Sequence, residues 1–223
     1  MNGLRQVGAI LWRDLVVELR TKESLGAMLL LALMTLVLFD FGFDLRVENV
    51  RQVAPGVLWV SFAFAGTLGL NRSLSRDQEQ GVLEGLLLAP AERRVIYLGK
   101  MLANLAAMSL MEAVLVPLFV ALFDISLFRP LLLPVIVLGT IGFVGIGTLL
   151  AAMTVNTRAR EALLPVLLFP LVVPILIAAV KATGAVLDGG GWSAIALWVR
   201  LMVIYDLVSL ALAYLTFAAV VEQ

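Results

Sequence analysis

The sequence of 223 residues contains neither cysteine nor histidine. Without cysteine the chain cannot form disulfides or thiolate metal sites, and without histidine it cannot carry the HExxH zinc motif. It also lacks the GxxxxGK[ST] phosphate-binding loop, so we expect that it does not hydrolyse ATP itself. We predict no metal site and no directly bound cofactor. A secretory signal peptide is not expected either, because the first apolar run follows a long charged segment.

Charged residues are also scarce in this chain. They make up 14% of the sequence against 62% hydrophobic residues, and the mean hydropathy is +1.05. These values differ strongly from those of soluble domains and indicate a membrane protein. The formal net charge is zero, and we predict no nucleic-acid partner. An intramembrane enzyme is a weak hypothesis, because the residues that most often carry catalysis or bind metal are missing.

Six apolar segments are each near or above the roughly 17–25 residues that a helix needs to cross a bilayer. The second of them is the shortest. The segments are approximately Leu25–Phe43, Ala54–Leu70, Val95–Phe123, Leu131–Thr154, Ala162–Val180 and Leu197–Val221. We therefore predict an all-α, polytopic membrane protein with six transmembrane helices in contact with membrane lipid. Residues 1–223 are expected to form a single transmembrane domain.

Residues 1–23 precede the first apolar segment and show the pattern of an amphipathic helix. The residues of its predicted apolar face are Leu4, Val7, Leu11, Leu15 and Leu19. Glu18 falls near this face and weakens the pattern. Such a pattern predicts a helix that lies in the membrane interface. A soluble amphipathic helix is the alternative, but no soluble core follows for it to join.

The distribution of Lys and Arg predicts the orientation of the chain. Eleven of these residues lie in the N-terminal segment, in residues 71–100 and in the loop after the fourth apolar segment, whereas five lie on the opposite side. Loops rich in Lys and Arg remain in the cytoplasm. We therefore predict that both termini and residues 71–100 face the cytoplasm.

Residues 71–100 form the longest polar interval of the chain, and residues 71–94 within it are predicted to be a cytoplasmic loop. Ser75 and Gln78 have the spacing of a capping box, which predicts the start of a short helix. Pro90 would end this helix. Its apolar face would consist of Val82, Leu83, Leu86 and Leu87. This helix is too short to span a bilayer and too apolar for water, so it needs a groove, either on its own membrane domain or on a soluble partner.

Two carboxylates fall inside apolar segments. Glu112 lies in the third segment and Asp206 in the sixth. Ionisable groups at membrane depth are candidates for function, and the alternative is that each is hydrogen-bonded at a helix interface. Neither has a second acid, a Lys or a His nearby in the sequence that would complete a catalytic site, so we predict no catalytic residue.

Two apolar segments contain residues that alter helix backbones or helix packing. The fifth contains Pro165, Pro170 and Pro174, and the missing backbone donors predict a kinked or partly broken helix. This bend is expected to be either static or a moving part of a transport path. The fourth segment contains Gly139, Gly142, Gly145 and Gly147, which predict close packing against another helix.

The order of these elements resembles that of ABC exporter permeases. The match is concentrated in the run from Glu79 to Pro90, Glu-Gln-Gly-Val-Leu-Glu-Gly-Leu-Leu-Leu-Ala-Pro. In such permeases this element is the coupling helix, which sits in a cleft of the ATPase subunit. The coupling residues that the resemblance implies are Gln78, Glu79, Gly81, Val82, Leu83, Glu84, Gly85, Leu86, Leu87 and Pro90.

More narrowly, the chain resembles the haem exporter protein B (CcmB) family. The resemblance includes the loop 156–161, with Arg158, Arg160 and Glu161, and the proline-rich run 163–174 that follows it. It implies a permease subunit in the bacterial inner membrane that pairs with a CcmA-like ATPase, as two copies of each. CcmC-like and CcmD-like membrane subunits would join them. The complex would use ATP, through the ATPase, to release a haem-loaded CcmE-like chaperone, so that haem is handled by the complex during cytochrome c biogenesis.

Two other functions remain open at this point. One is a permease of the same architecture that exports a lipid, a drug or a polysaccharide, which predicts a substrate-lined cavity between two copies. The other is a membrane scaffold that conducts nothing and relays ATPase motion to a neighbour, which predicts a closed apolar seam. Trp192 and Trp198 are interpreted as interface anchors rather than haem contacts.

Overall fold

The computed structural model describes residues 3–43, 50–82, 85, 92–155, 157 and 159–220. Within these residues the chain forms seven long helices: α1 (Gly3–Thr21), α2 (Glu23–Phe43), α3 (Val50–Glu79), α4 (Arg93–Phe123), α5 (Leu132–Thr154), α6 (Arg160–Leu187) and α7 (Trp192–Val220). Six of them, α2 to α7, are long and apolar enough to cross a membrane. The predicted all-α architecture with six spanning helices is therefore confirmed.

Helices α3 and α5 form the centre of the bundle. In each of them 72% of the most apolar 18-residue stretch is buried, against 28–33% in the other four spanning helices. Around this centre, α2 and α4 pack against α3, while α6 and α7 pack against α5 and against each other. Their outer faces expose large apolar side chains, such as Leu38 and Leu207. An apolar exterior of this kind is stable only in contact with lipid or with other membrane-spanning helices.

The glycines of α5 explain why this helix can lie at the centre. A Cβ atom at Gly139 would overlap the indole ring of Trp59 on α3, and one at Gly142 would overlap Ile175 on α6. Because a glycine lets a neighbouring side chain or backbone approach closely, each of these positions brings a neighbouring helix nearer. The predicted packing role of the glycines is confirmed.

Hydrogen bonds between side chains join the central helices at several points. Trp59 Nε1 donates to Thr183 Oγ1 at 3.0 Å, which links α3 to α6. Asn104 Nδ2 donates to Thr148 Oγ1 at 3.0 Å, which links α4 to α5. In hydrocarbon no water is available to satisfy such groups, so partners on neighbouring helices replace it.

Helix α6 continues without interruption through its three prolines at positions 165, 170 and 174. The prediction of a partly broken helix is therefore wrong, while a kink stays a prediction. One backbone carbonyl near the last proline has an additional partner from another helix. The Tyr205 hydroxyl of α7 donates to the carbonyl oxygen of Leu171, three residues before Pro174, at 3.0 Å. The donor that Pro174 lacks would have bonded the carbonyl oxygen of Pro170, so this bond adds a partner to the neighbouring carbonyl and does not replace the missing one.

Residues with left-handed backbone conformations follow several of the helices, among them α6, α4 and, at Lys22 with φ 54°, α1. Gly189 follows α6 with φ 86°, its amide donates to the Val186 carbonyl at 3.0 Å, and the amide of Gly190 donates to the Ala185 carbonyl at 2.9 Å. This is the Schellman motif, and only glycine adopts its central conformation without strain. Asp124, with φ 51°, ends α4 in the same region of backbone space.

The structure corrects the predicted start of the polar loop. Helix α3 runs without a break to Glu79, so Ser75 and Gln78 lie inside it and do not begin a new helix. The second spanning helix is consequently 30 residues long rather than the shortest of the six. Residues 80–92 connect α3 to α4, which makes the connection shorter than the predicted loop 71–94.

Candidate functional site

A buried lysine lies where α1, the end of α3 and the start of α4 meet, a region named here the α1 end of the bundle. The side chain of Lys100 on α4 is only 2% exposed. Its Nζ donates to Asp14 Oδ2 on α1 at 2.6 Å and also to Asp77 Oδ2 on α3. An ammonium group is buried in a protein only when it is paired in this way. One lysine therefore joins three helices.

Arg13 completes this charged cluster from the more exposed side of α1. Its Nη2 lies 2.5 Å from Asp77 Oδ1 and 3.0 Å from Asp14 Oδ1. Two cations and two carboxylates then balance, so the buried cluster Arg13, Asp14, Asp77 and Lys100 carries no net charge. Removing one member of such a cluster leaves an uncompensated buried charge, which is strongly destabilising.

Glu18 adds a second contact between α1 and α3 and attaches α1 to α2. Its Oε2 lies 3.1 Å from Arg76 Nη1 on α3, and its Oε1 accepts a hydrogen bond from the Leu25 amide in the first turn of α2 at 2.7 Å. Amides in the first turn of a helix have no partner within the helix, so Glu18 satisfies one of them. In the sequence, Glu18 only weakens the predicted apolar face of α1. In the structure, its carboxylate contacts Arg76 and the Leu25 amide.

The orientation of α1 follows from these contacts. The buried residues of α1 are Ile10, Asp14 and Glu18, whereas Leu4 and Trp12 are 86% and 71% exposed. Two of the three buried residues of α1 are thus acidic. The predicted apolar residues Val7, Leu11 and Leu15 are half-buried beside them. Ile10, Asp14 and Glu18 are spaced four residues apart, which places them on one face of a helix. The spacing alone does not show that this face is buried, because the burial depends on partners such as Lys100.

The described part of the predicted coupling segment begins directly beyond the charged cluster. Gly81 adopts φ 66°, and its amide donates to the Gln78 carbonyl at 3.0 Å, which turns the chain away from α3. The Gly85 amide then donates to the Gly81 carbonyl at 3.1 Å. Val82, which follows Gly81, is half-buried. The predicted coupling residues Leu83, Glu84, Leu86, Leu87 and Pro90 lie outside the described residues.

The two ends of the connection 80–92 are held together by the cluster. Asp77 lies three residues before the connection and Lys100 eight residues after it, and their side chains are directly bonded. Arg13 and Asp14 attach α1 to the same pair. A force that moves residues 80–92 therefore acts first on α3, α4 and α1, because these helices are joined at its base.

A further ion pair attaches α6 to the same end of the bundle. Arg160 Nη2, at the start of α6, lies 2.7 Å from Glu79 Oε1, at the end of α3. The Glu79 side chain is 63% exposed, so this contact lies at the surface. Glu161 is exposed next to it, and Arg158 lies outside the described residues. Two residues predicted for separate roles, Glu79 for coupling and Arg160 for the loop, are thus brought together.

A large groove opens beside this ion pair between α2, α3 and α6. Its volume is about 930 Å³. Charged and polar residues, among them Arg72, Arg76 and Arg160, line one part, while Phe64 and Phe169 line the apolar part. These two rings contact each other edge to face, with centroids 5.7 Å apart. The groove therefore offers polar and apolar walls side by side.

The two intramembrane carboxylates lie in different surroundings. Glu112 on α4 is 5% exposed, and its Oε1 lies 2.7 Å from Thr140 Oγ1 on α5. Asp206 on α7 is also 5% exposed, and neither of its carboxyl oxygens has a hydrogen-bond partner among the described residues. It faces Gly142 of α5, where a Cβ would overlap Asp206 Oδ1. The structure therefore does not bring Glu112 and Asp206 together in one site.

No group of three or more acidic residues that could hold a metal ion occurs in the part of the chain that the structure describes. The six described helices that are long and apolar enough to cross a membrane define the chain as a polytopic membrane protein.

Comparison with known proteins identifies the family. Residues 5–223 match the family model described as CcmB protein, so the chain belongs to the CcmB family. Several relatives carry the name heme exporter protein B, and three of them are described here. The Rhodobacter capsulatus protein is 32% identical over 212 residues, which are 95% of this chain and 95% of the relative. The Paracoccus denitrificans protein is 33% identical over 175 residues, 78% of this chain and 80% of the relative. The Pseudomonas aeruginosa protein is 29% identical over 210 residues, 94% and 92% respectively. The resemblance inferred from the sequence is confirmed.

Proposed function

We propose that the chain is the membrane permease subunit of an ABC exporter for c-type cytochrome biogenesis, in which a separate ATPase supplies the energy. Membership of the CcmB family along nearly the whole chain carries this proposal. The names of the relatives support haem as the group that the complex handles. The complex contains two copies of this chain and of a CcmA-like ATPase, together with CcmC-like and CcmD-like subunits and a CcmE-like chaperone.

The coupling residues, 78–90, are the contact with the ATPase in this proposal. Their position at the base of the charged cluster supports it, because a displacement there acts directly on Asp77 and Lys100. Through Asp14 the same displacement acts on α1. Since buried ion pairs tolerate little separation of their partners, the cluster would transmit the motion rather than absorb it. ATP-driven motion would thus enter the membrane domain through α1, α3 and α4 together.

The complex is placed in the bacterial inner membrane with both termini and residues 80–92 in the cytoplasm. The excess of Lys and Arg on this side supports the orientation. The bacterial origin of the relatives supports the location. An ATPase partner needs cytoplasmic ATP, which is consistent with the same orientation.

Substitutions in the apolar face of the coupling segment test this function. Val82→Asp and Leu83→Asp should each release the ATPase, because burial of one large apolar side chain contributes about 1.5–3 kcal/mol, or roughly a 10- to 150-fold change in affinity. Thr21→Asp is the matched control, since Thr21 is exposed at the same end of the bundle and lies outside the coupling residues. The tagged chain is solubilised mildly, and the co-purified ATPase and the holo-cytochrome c of the same cells are quantified.

The expected result is loss of ATPase and of holo-cytochrome c with both apolar variants and retention of both with the control. Unchanged ATPase recovery with Val82→Asp and Leu83→Asp would show that this segment rests on its own membrane domain. Loss of the ATPase with cytochrome c maturation intact would instead contradict the proposed function.

A further inference from the structure

A second groove lies between α4 and α5, away from the coupling segment. Its volume is about 360 Å³, and it reaches from the middle of α4 towards the end of the bundle opposite α1. The α4 wall includes Ser109, Glu112 and Ala113, and the α5 wall includes Leu133, Val137 and Thr140. Leu133 and Val137 are 67% and 45% exposed, so the rim of the groove is apolar and open to the membrane.

Glu112 places a carboxyl group in this otherwise apolar groove. It lies eleven residues before the end of α4 at Phe123, which is about 16 Å along a helix with a rise of 1.5 Å per residue. The carboxyl group therefore lies well inside the hydrocarbon, where polar groups are costly unless they are paired. Lipid acyl chains that filled the groove would offer it no hydrogen bond.

The contacts of Glu112 leave one oxygen to be satisfied. Thr140 Oγ1 lies 2.7 Å from Glu112 Oε1 and 2.8 Å from the Ile136 carbonyl oxygen. A hydroxyl group has one proton, so it donates either to Ile136 or to Glu112. Both short contacts are hydrogen bonds only if Thr140 donates to Ile136 and a protonated Glu112 donates to Thr140 through Oε1. Glu112 Oε2 is then a carbonyl oxygen that can only accept, and Thr140 is the only described residue bonded to this carboxyl group.

The walls of the groove next to Glu112 allow a helix to approach closely. Ser109 and Ala113 are small, exposed residues on the same face of α4, and small residues at helix interfaces let backbones come together. Two copies seated groove to groove would place one Glu112 opposite the other, acceptor against acceptor. A helix that presents a hydrogen-bond donor would bond the free oxygen of Glu112, whereas the same groove on a second copy of the chain would present another acceptor.

We propose that this groove binds a transmembrane helix of a different membrane subunit, which presents a hydrogen-bond donor to Glu112. The donor is an amide, a hydroxyl or a basic side chain at matching depth. The groove is lined by α4 and α5, whereas the coupling segment adjoins the opposite end of α4, so this contact is separate from the one with the ATPase.

Site-specific photo-crosslinking in native membranes, with the full-length chain and its partners expressed together, tests the proposal. A photoreactive phenylalanine analogue replaces Leu133 at the rim of the groove. Leu207 on α7 is the control position, because it is also 67% exposed. Position 133 should give an adduct with another membrane-spanning chain, identified by mass spectrometry, and this adduct should depend on Glu112.

Variants of the groove make this dependence measurable. Glu112→Leu removes the acceptor and should lower the adduct yield between about 3- and 30-fold, the effect of one hydrogen bond between membrane helices. Glu112→Gln keeps an acceptor oxygen and should retain the yield within about 3-fold if the donor is neutral; loss with both variants identifies a basic donor. Ala113→Trp fills the groove while Glu112 is kept, and it should abolish the adduct, whereas Ala121→Trp on an exposed part of α4 outside the groove should not.

Folding is checked in the same samples by the amount of ATPase that co-purifies, which should not change in any groove variant. The proposal is wrong if position 133 crosslinks to a second copy of this chain or to lipid alone. It is equally wrong if the yield of the adduct is the same with Glu112→Leu and Ala113→Trp as with the natural residues. These outcomes are distinct from failure of the proposed function, which is measured by the ATPase contact and by cytochrome c.

Discussion

Replacement of Lys100 by methionine tests the charged cluster most directly. The change keeps a long side chain of similar shape and removes only the positive charge. Asp14 and Asp77, both almost fully buried, are then left with Arg13 as their shared cation. The cluster would carry one uncompensated negative charge, and breaking a buried pair in this way costs about 3–5 kcal/mol. Because Arg13 is partly exposed and can reach both carboxylates, we expect a loss near 3 kcal/mol.

A second substitution separates the charge effect from a packing effect. In the double variant Lys100→Met/Asp14→Asn, Arg13 again faces a single carboxylate and the cluster is neutral. Neighbouring residues in one charged network show interaction energies of about 0.5–3 kcal/mol, so the double variant should recover at least about 1 kcal/mol. Lys181→Met is the control, because Lys181 is exposed and surface changes usually stay within about 0.5 kcal/mol.

The free energy of unfolding can be measured in mixed micelles by titration with a denaturing detergent. Tryptophan fluorescence reports the transition, and Trp59, which is 1% exposed in the bundle centre, is the main probe. A loss of less than about 1 kcal/mol with Lys100→Met would refute the reasoning. A double variant that is no more stable than the single variant would show that charge balance is not what the cluster provides.

Two further predictions concern helix packing and orientation. Gly139→Ala should destabilise the bundle by about 1–3 kcal/mol in the same titration, because the added methyl group overlaps the ring of Trp59; Gly26→Ala, where nothing lies within 4 Å, is the control, and equal effects of the two would contradict the packing argument. Reporter fusions after Gln80 should show a cytoplasmic location and fusions after Phe123 a periplasmic one, and the reverse result would overturn the proposed orientation.

Most of the fold could be predicted from the sequence because lipid imposes a simple rule on it. A helix that crosses a bilayer needs a long apolar run, and such runs are visible without any knowledge of their neighbours. The prediction failed where neighbours decide the outcome. Ser75 and Gln78 have the spacing of a helix start, but α3 passes through them and continues to Glu79. Pairing of Arg76 and Asp77 with other helices stabilises these last turns.

The candidate site was harder to predict than the fold, because it depends on contacts between residues that are distant in the sequence. The coupling segment was recognised by a run of residues adjacent in sequence, whereas the cluster at its base joins residues that are far apart. Asp14 and Lys100 are separated by 86 positions, and no local pattern indicates that they meet. In the sequence, Glu18 stands out only as a charged residue near the predicted apolar face of α1. When charged residues pair between distant helices, a single sequence shows each of them only as an exception in the apolar pattern of its own helix.

The polar inner face of α1 has a consequence for the order in which the protein is assembled. Ribosomes add about 5–20 residues per second, so Lys100 is made some 4–17 s after Asp14. Until then the carboxylates of α1 have no lysine to meet and must stay in water, while the exposed side chains of Leu4 and Trp12 favour the membrane surface. Helix α1 therefore stays at the surface of the bilayer until α4 has been inserted, and only then is it seated.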